Sequence, residues 1–208
     1  MSEKFNSEKY SLVEESPVGG GMEAEVSFVK MERGGRTLNL IRKRPQEDSL
    51  VFDKEQIIER FKKSVRMYGI LKDKKYPVPQ TWRIDENTND LYVSDLSDGG
   101  RLEIIDTRRL GKIMRGKEGS PVKLSAEVIE KLRLELKDIC ARATRDNIVI
   151  PADTWFIVAD KNGKSADLVL GDISGVNDME GSGISRDIIE DTNIKQSVSM
   201  TRGLDQLL

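Results

Sequence analysis

Two glycine turns within the first 45 residues constrain this chain most. Gly19-Gly20-Gly21 separates β-type runs over residues 8–18 and 25–33, and Gly34-Gly35 separates the second run from a third, Thr37 to Lys43. Val26, Phe28 and Val29 supply the β-branched and aromatic side chains that a pleated surface favours. A pair of glycines is the tight connection hairpins use, so the runs predict an antiparallel sheet. Pro45 ends the third run, because proline has no N–H to give a ladder.

The apolar period then changes from two to 3.6. Ile57, Ile58, Phe61, Val65, Tyr68 and Leu71 recur at three and four and predict a helix from Asp53 to Asp73, stopped by Pro77 and Pro79. Gln80–Asp85 and Leu91–Leu96 flank the turn-rich residues 86–90 and read as a hairpin, closed by Asp98-Gly99-Gly100. Residues 101–116 and 124–145 read as helices. The second has Val128, Leu132, Leu136, Ile139 and Ala143 on one face and Ser125 as its cap. Short strands are expected at Ile148–Ile150, Trp155–Val158 and Asp167–Leu170, with Asn162-Gly163 turning between the last two. From Asn177 on there is no aromatic residue. A short helix around Ile184–Glu190 in an otherwise mobile tail is expected there.

Composition removes several functions. A net charge of -2 and a pI near 5.5 give no global attraction to nucleic acid or anionic lipid. No stretch approaches the roughly 18 apolar residues that span a bilayer. The single Cys140 forms no internal disulfide, and Met1 to Tyr10 has no apolar signal core, so a reducing, cytoplasmic setting is expected. There is no histidine, which excludes the usual general base, the usual zinc ligand and every Ser–His or Cys–His pair. Chemistry is left to Asp, Glu, Lys or a bound metal.

Three motifs carry that chemistry. Gly19 to Val26 fits G-x-G-x-x-A-x-V, whose glycines let backbone N–H groups approach a triphosphate; alone, the motif is better explained as a ligand-free hairpin turn. Leu40-Ile41-Arg42-Lys43 ends a strand with a cation that reaches phosphates, or with a solvated basic end. Neighbours on a strand face opposite sides, and Lys43, two residues after Ile41, is preferred over Arg42. Leu168 to Gly175 is an apolar strand ending in Asp172 and a turn.

Taken in order, glycine loop, lysine strand, helix, Pro-Val-Pro, hairpin and Leu91-Tyr92-Val93-Ser94-Asp95-Leu96 resemble the N-lobe of the protein-kinase-like superfamily, a likeness of order and spacing over roughly residues 8–175. The resemblance implies an α+β fold, with an antiparallel-sheet N-lobe over 8–97 after a tail of 1–7. A truncated, mostly helical C-lobe over 98–176 and a polar tail over 177–208 would follow. It implies ATP and Mg²⁺ as ligands. Gly19, Gly20 and Gly21 would cover the phosphates, Lys43 would hold them, and the hinge at Asp95 and Leu96 would meet adenine. Asp172 would hold the metal, and Asp153 would orient the acceptor hydroxyl.

The chain departs from the family pattern in three places. In the stretch from Arg145 to Val158, Asp153 lies close to the following strand, and Trp155 stands where a metal-binding Asn is expected; Asp153 reads equally as a turn residue. Family spacing puts the acid partner of Lys43 at Ser64, with Glu55 and Glu59 one to two turns earlier better read as solvated acids. About 35 residues follow Asp172, short of a full C-lobe.

The function implied is that of a minimal kinase-like protein with weak or atypical phosphotransferase activity. The alternative is an inactive, pseudokinase-type module that docks a protein partner. A third reading uses the basic clusters Arg60–Lys75 and Arg108, Arg109, Lys112, Arg115 and Lys117 on nucleic acid; solvated helix faces are the better account of these. Trp82 and Trp155 are expected in the core, Cys140 buried and inert, and Met67 and Met114 as core fillers.

Overall fold

The computed structural model describes residues 6–20, 23–47, 49 and 51–208. The chain forms two compact units, Met1–Gly69 with Pro79–Gly99, and Ile70–Val78 with Gly100–Leu208.

The first unit is built on a five-stranded antiparallel sheet of β1 (Ser11–Gly20), β2 (Ala24–Arg33), β3 (Arg36–Pro45), β4 (Trp82–Ile84) and β5 (Leu91–Ser94), in the order β1-β2-β3-β5-β4. Gly34 and Gly35 take φ of 56° and 75°, the double left-handed turn that matches strand twist and that side-chain-bearing residues resist. β3 continues two residues beyond the expected Lys43 and stops at Pro45, opposite Ala24. Residues 8–10 do not join β1. Ser7–Lys9 is a 3-10 turn whose Ser7 N–H donates to Asp85 Oδ2 at 2.7 Å.

Helix α1 (Lys54–Asp73) opens with a reciprocal cap. Gln56 N–H donates to Asp53 Oδ1 at 2.8 Å, and Asp53 N–H donates to Gln56 Oε1 at 3.1 Å. Ile57, Phe61, Met67 and Tyr68 are buried. On one sheet face, Val29, Met31, Leu40 and Tyr92 form a cluster with Tyr10 and Leu38 packed against it.

The second unit contains β6 (Leu102–Asp106), α2 (Thr107–Met114), α3 (Ala126–Arg145), β7 (Ile148–Val149), β8 (Trp155–Asp160), β9 (Ala166–Leu170), β10 (Asn177–Asp178) and α4 (Arg186–Leu204). The strands make a β6-β8-β9 sheet and a β7-β10 pair, all antiparallel. The face read for α3 is the buried one, joined by Ile129, Cys140 and Thr144, and Ser125 Oγ accepts from Val128 N–H at 3.3 Å.

Two expectations are corrected here. Residues 101–116 are not one helix. Leu102–Asp106 pairs with β8, where its backbone is satisfied and Ile105 is fully buried, and Asp106 then caps α2 by accepting from Arg109 N–H at 2.6 Å. The segment after residue 177 is not a polar tail with a short helix. α4 has 19 residues and buries Ile189, Met200 and Leu204, with Leu207 buried just beyond, each worth about 1.5–3 kcal/mol. Met114, expected as a core filler, is 40% exposed, while Met67, Trp82, Trp155 and Cys140 are buried. No helix among the described residues is long and apolar enough to cross a membrane.

The β8–β9 turn is the tightest point of this unit. Gly163 has φ of +74°, and a Cβ there would sit 1.9 Å from the Lys123 carbonyl oxygen. Gly163→Ala is therefore expected to lower stability by about 2–4 kcal/mol, read as the midpoint shift in urea unfolding.

Candidate functional site

The glycine turn grows out of the β1–β2 hairpin. Gly19 lies opposite Val26 and Gly20 opposite Glu25, with a one-residue bulge at Val18. Gly19 takes φ of +143°, and among the described residues nothing lies within 4 Å of a Cβ built there, so its backbone is open to approach from them. Gly21 and Met22 lie outside the described residues. Beyond them, Glu23 returns the chain to α1 through a 2.8 Å ion pair with Arg60, whose guanidinium lies over Phe52 at 4.7 Å.

Lys43 and Arg42 occupy opposite faces of β3. Arg42 hydrogen-bonds Glu15 and lies 3.8 Å from Asp90, which Arg44 also approaches at 3.6 Å. Asp90 is 2% exposed. Burial pushes its carboxyl up, and Arg44 and Arg42 pull the other way. Arg42 is thus committed to holding β1, β3 and the β4–β5 turn together. Lys43 lies opposite Val26 and Leu91, on the face that α1 covers. Its Nζ stands 5.5 Å from the centre of the Trp82 ring.

Ser64, the position of the expected acid partner, closes this chain of contacts. Its Oγ accepts from Trp82 Nε1 at 2.9 Å and donates to the Phe61 carbonyl at 2.8 Å, with Ser64 and Trp82 both buried. A serine-anchored indole faces the lysine where the family pattern has a carboxylate. Glu59 is exposed and paired with Lys62 at 2.8 Å, and Glu55 is exposed.

The expected hinge residues divide. Asp95 uses its backbone N–H on the Asn39 carbonyl at 3.0 Å, and its carboxylate accepts from Ser97 N–H at 2.9 Å and Gly99 N–H at 2.7 Å. Asp95 therefore builds the turn. Leu96 is half-buried, and its backbone N–H and C=O have no hydrogen-bond partner among the described residues.

The second unit brings Asp153 and Asp172 onto adjoining turns. Asp153 is exposed in the 3-10 turn Ala152–Thr154, and Asp172 opens the 3-10 turn Ile173–Gly175. The Thr154 carbonyl joins them, accepting from Gly171 N–H at 2.8 Å and Asp172 N–H at 3.5 Å. Gly171 is needed for this approach, since a Cβ would meet the Phe156 ring at 2.5 Å. Asp172 Oδ1 accepts from Ser174 N–H at 3.2 Å and from the Ser174 hydroxyl. Thr154 Oγ1 and Trp155 Nε1 are buried with no hydrogen-bond partner among the described residues. Such groups mark places where water or a ligand completes a site.

Reading by motif missed what braces these turns. Asn193 of α4 is 2% exposed. Its Oδ1 accepts from Ile150 N–H at 3.0 Å and its Nδ2 donates to the Ile148 carbonyl at 2.9 Å. One turn on, Gln196 Oε1 accepts from Ala152 N–H at 3.0 Å. A lone Asn in the stripe Ile189, Asn193, Met200, Leu204 was the available signal. The segment after Asp172 also returns, pairing Asn177 with Val149 and Asp178 with Ile148.

No protein-family model and no curated protein matches the chain. Among solved structures it is similar to the Helicobacter pylori proinflammatory kinase CtkA, with 12% identity and a TM-score of 0.51 over 84% of this chain and 62% of that one. It also aligns with the BubR1 kinase domain at 18% identity and a TM-score of 0.44, covering 86% of this chain and 54% of that domain. The chain has a protein-kinase-like α+β fold, and spans less than two thirds of the length of the first of these kinases.

Two stability outcomes follow. Asn193→Ala leaves the Ile150 amide and the Ile148 carbonyl unpaired. It should cost about 2–4 kcal/mol in urea unfolding and speed hydrogen exchange at Ile150. Ser64→Ala strands the Trp82 N–H in the core and should cost about 1–3 kcal/mol by the same measurement.

Proposed function

We propose that this chain binds ATP with Mg²⁺ and carries out weak or atypical phosphoryl transfer. The observation that carries this reading is the shared Thr154 carbonyl, which sets Asp153 and Asp172 on adjoining turns. Gly19 offers an open backbone to the phosphates, with Gly20 beside it, and Lys43 a cation held on Trp82. Leu96, rather than the committed Asp95, offers backbone groups to a base. Asp172 would be the carboxylate that holds Mg²⁺, a cation that needs few protein ligands. Such a metal would supply charge neutralisation when bound, and the protein's share of the chemistry would be positioning. In that scheme Asp153 accepts a hydrogen bond from the acceptor hydroxyl.

A second reading, an inactive binding module of the same fold, is favoured by two substitutions. Trp155, buried in β8 opposite Leu170, replaces the second metal ligand, and Ser64 replaces the acid partner of Lys43.

Thermal unfolding with and without millimolar Mg²⁺–ATP tests binding. Ligand at a hundred times its dissociation constant stabilises by about 2.7 kcal/mol, so the midpoint should rise by roughly 5–10 °C in the wild type and fail to rise in Asp172→Ala. No rise at saturation would sink the nucleotide reading. Where binding holds, Asp153→Asn should keep the shift and lose about 100-fold or more in turnover. A shift with no turnover in the wild type would select the inactive module.

A further inference from the structure

Helix α2 turns two dissimilar sides to its surroundings. Leu110 and Ile113 are buried, at 1% and 8% exposure. Arg109 is tied down by Glu118 at 2.7 Å, Glu103 at 3.4 Å and the Ile104 carbonyl at 3.0 Å. Arg108, Lys112 and Arg115 fall at i, i+4 and i+7 along the outward side, with Lys117 in the turn beyond, and all four are exposed. None of the four forms an ion pair among the described residues, whereas Arg42, Lys54, Arg60, Lys131 and Arg133 are all paired. Arg101–Lys123 holds seven Lys or Arg against three Asp or Glu, in a chain whose net charge is -2. The positive charge of this stripe is therefore local and uncompensated by its own fold.

We propose that the α2 stripe docks an acidic, Asp/Glu-rich protein segment. As an acceptor-docking surface it rests on the phosphotransfer reading above; as a binding surface it does not. The spacing fits such a segment. With a rise of about 1.5 Å per residue, Arg108 and Lys112 stand about 6 Å apart along the helix. An extended peptide sets alternate side chains on one side about 6.6–6.8 Å apart. Alternate carboxylates thus meet Arg108 and Lys112, and the length from Arg108 to Arg115, about 10 Å, is covered by about four extended residues. The location fits the acceptor role, because α2 packs against the turn that bears Asp153. Nucleic acid is the poorer match. No Phe, Tyr or Trp lies between Arg101 and Lys123 to stack a base, and the three acids repel a continuous polyanion.

The test is fluorescence anisotropy of a labelled hepta-glutamate peptide with the full chain, without nucleotide, at about 50 and about 200 mM salt. The wild type should bind and weaken as salt rises. The Arg108→Glu, Lys112→Glu, Arg115→Glu triple variant should lose ten-fold or more. A control of equal charge change, Lys137→Glu, Lys161→Glu, Arg202→Glu, should retain binding to within about three-fold. If the stripe variant does not melt within a few degrees of the wild type, the Arg108→Ala, Arg115→Ala pair replaces it. No peptide binding at low salt, or equal losses in stripe and control variants, overturns the proposal. So does tighter binding of a single-stranded oligonucleotide of matched charge. Because nucleotide is omitted, failure of the Mg²⁺–ATP shift and failure of this surface are separate results.

Discussion

A strand of two residues cannot support the backbone that follows it. β7 ends at Val149, and the chain then runs through the 3-10 turn Ala152–Thr154, which bears Asp153, to the start of β8. Its backbone at Ile150 is buried and that at Ala152 partly so, and both amides need partners. α4 supplies them from side chains: Asn193 takes the Ile150 amide and the Ile148 carbonyl, and Gln196 takes the Ala152 amide. An amide side chain presents a donor and an acceptor together, so one buried residue substitutes for a missing ladder rung. The position of Asp153, and through Thr154 that of Asp172, follows from this brace.

Charge in the first unit is managed by separation. Consecutive strand residues point to opposite faces, and the sheet uses this to give Arg42 and Lys43 different tasks. Arg42 works with Asp90 and Glu15 on structure; Lys43 stands over the Trp82 ring on the other face. The buried Ser64 hydroxyl fixes the indole by its N–H, so the lysine is held at one remove by a hydroxyl where the family pattern uses an acid.

What was legible in the sequence was what is decided locally. Gly34-Gly35 marks a tight hairpin turn, α3 repeats its apolar residues without interruption, and Ser125 caps it; each reads from a few neighbouring residues. The order of glycine turn, Lys43 strand and Asp172 turn also survives in one dimension, and with it the kinase-like architecture. β6 did not read as a strand because its evidence lies more than fifty residues away, in the register of Leu102 with Asp160. α4 hid for the opposite reason. The residue that matters most in its buried stripe is polar, so Asn193 looked like a break in the pattern. Ser64 at the position of the expected acid was legible from spacing, but its bond to Trp82 was not, because it is one contact between a helix and a strand 18 residues apart.

The brace also has a direction in time. Asn193 is separated from Ile150 by 43 residues, and a ribosome adds roughly 5–20 residues per second. The emerging chain makes the glycine turns, Lys43 and the two aspartates first, and holds the last part of that apparatus without its support for seconds. Completion of the second unit waits for α4, which acts as a keystone. The long-range closure it requires is the slow kind, since the intervening chain must be ordered before the contact forms.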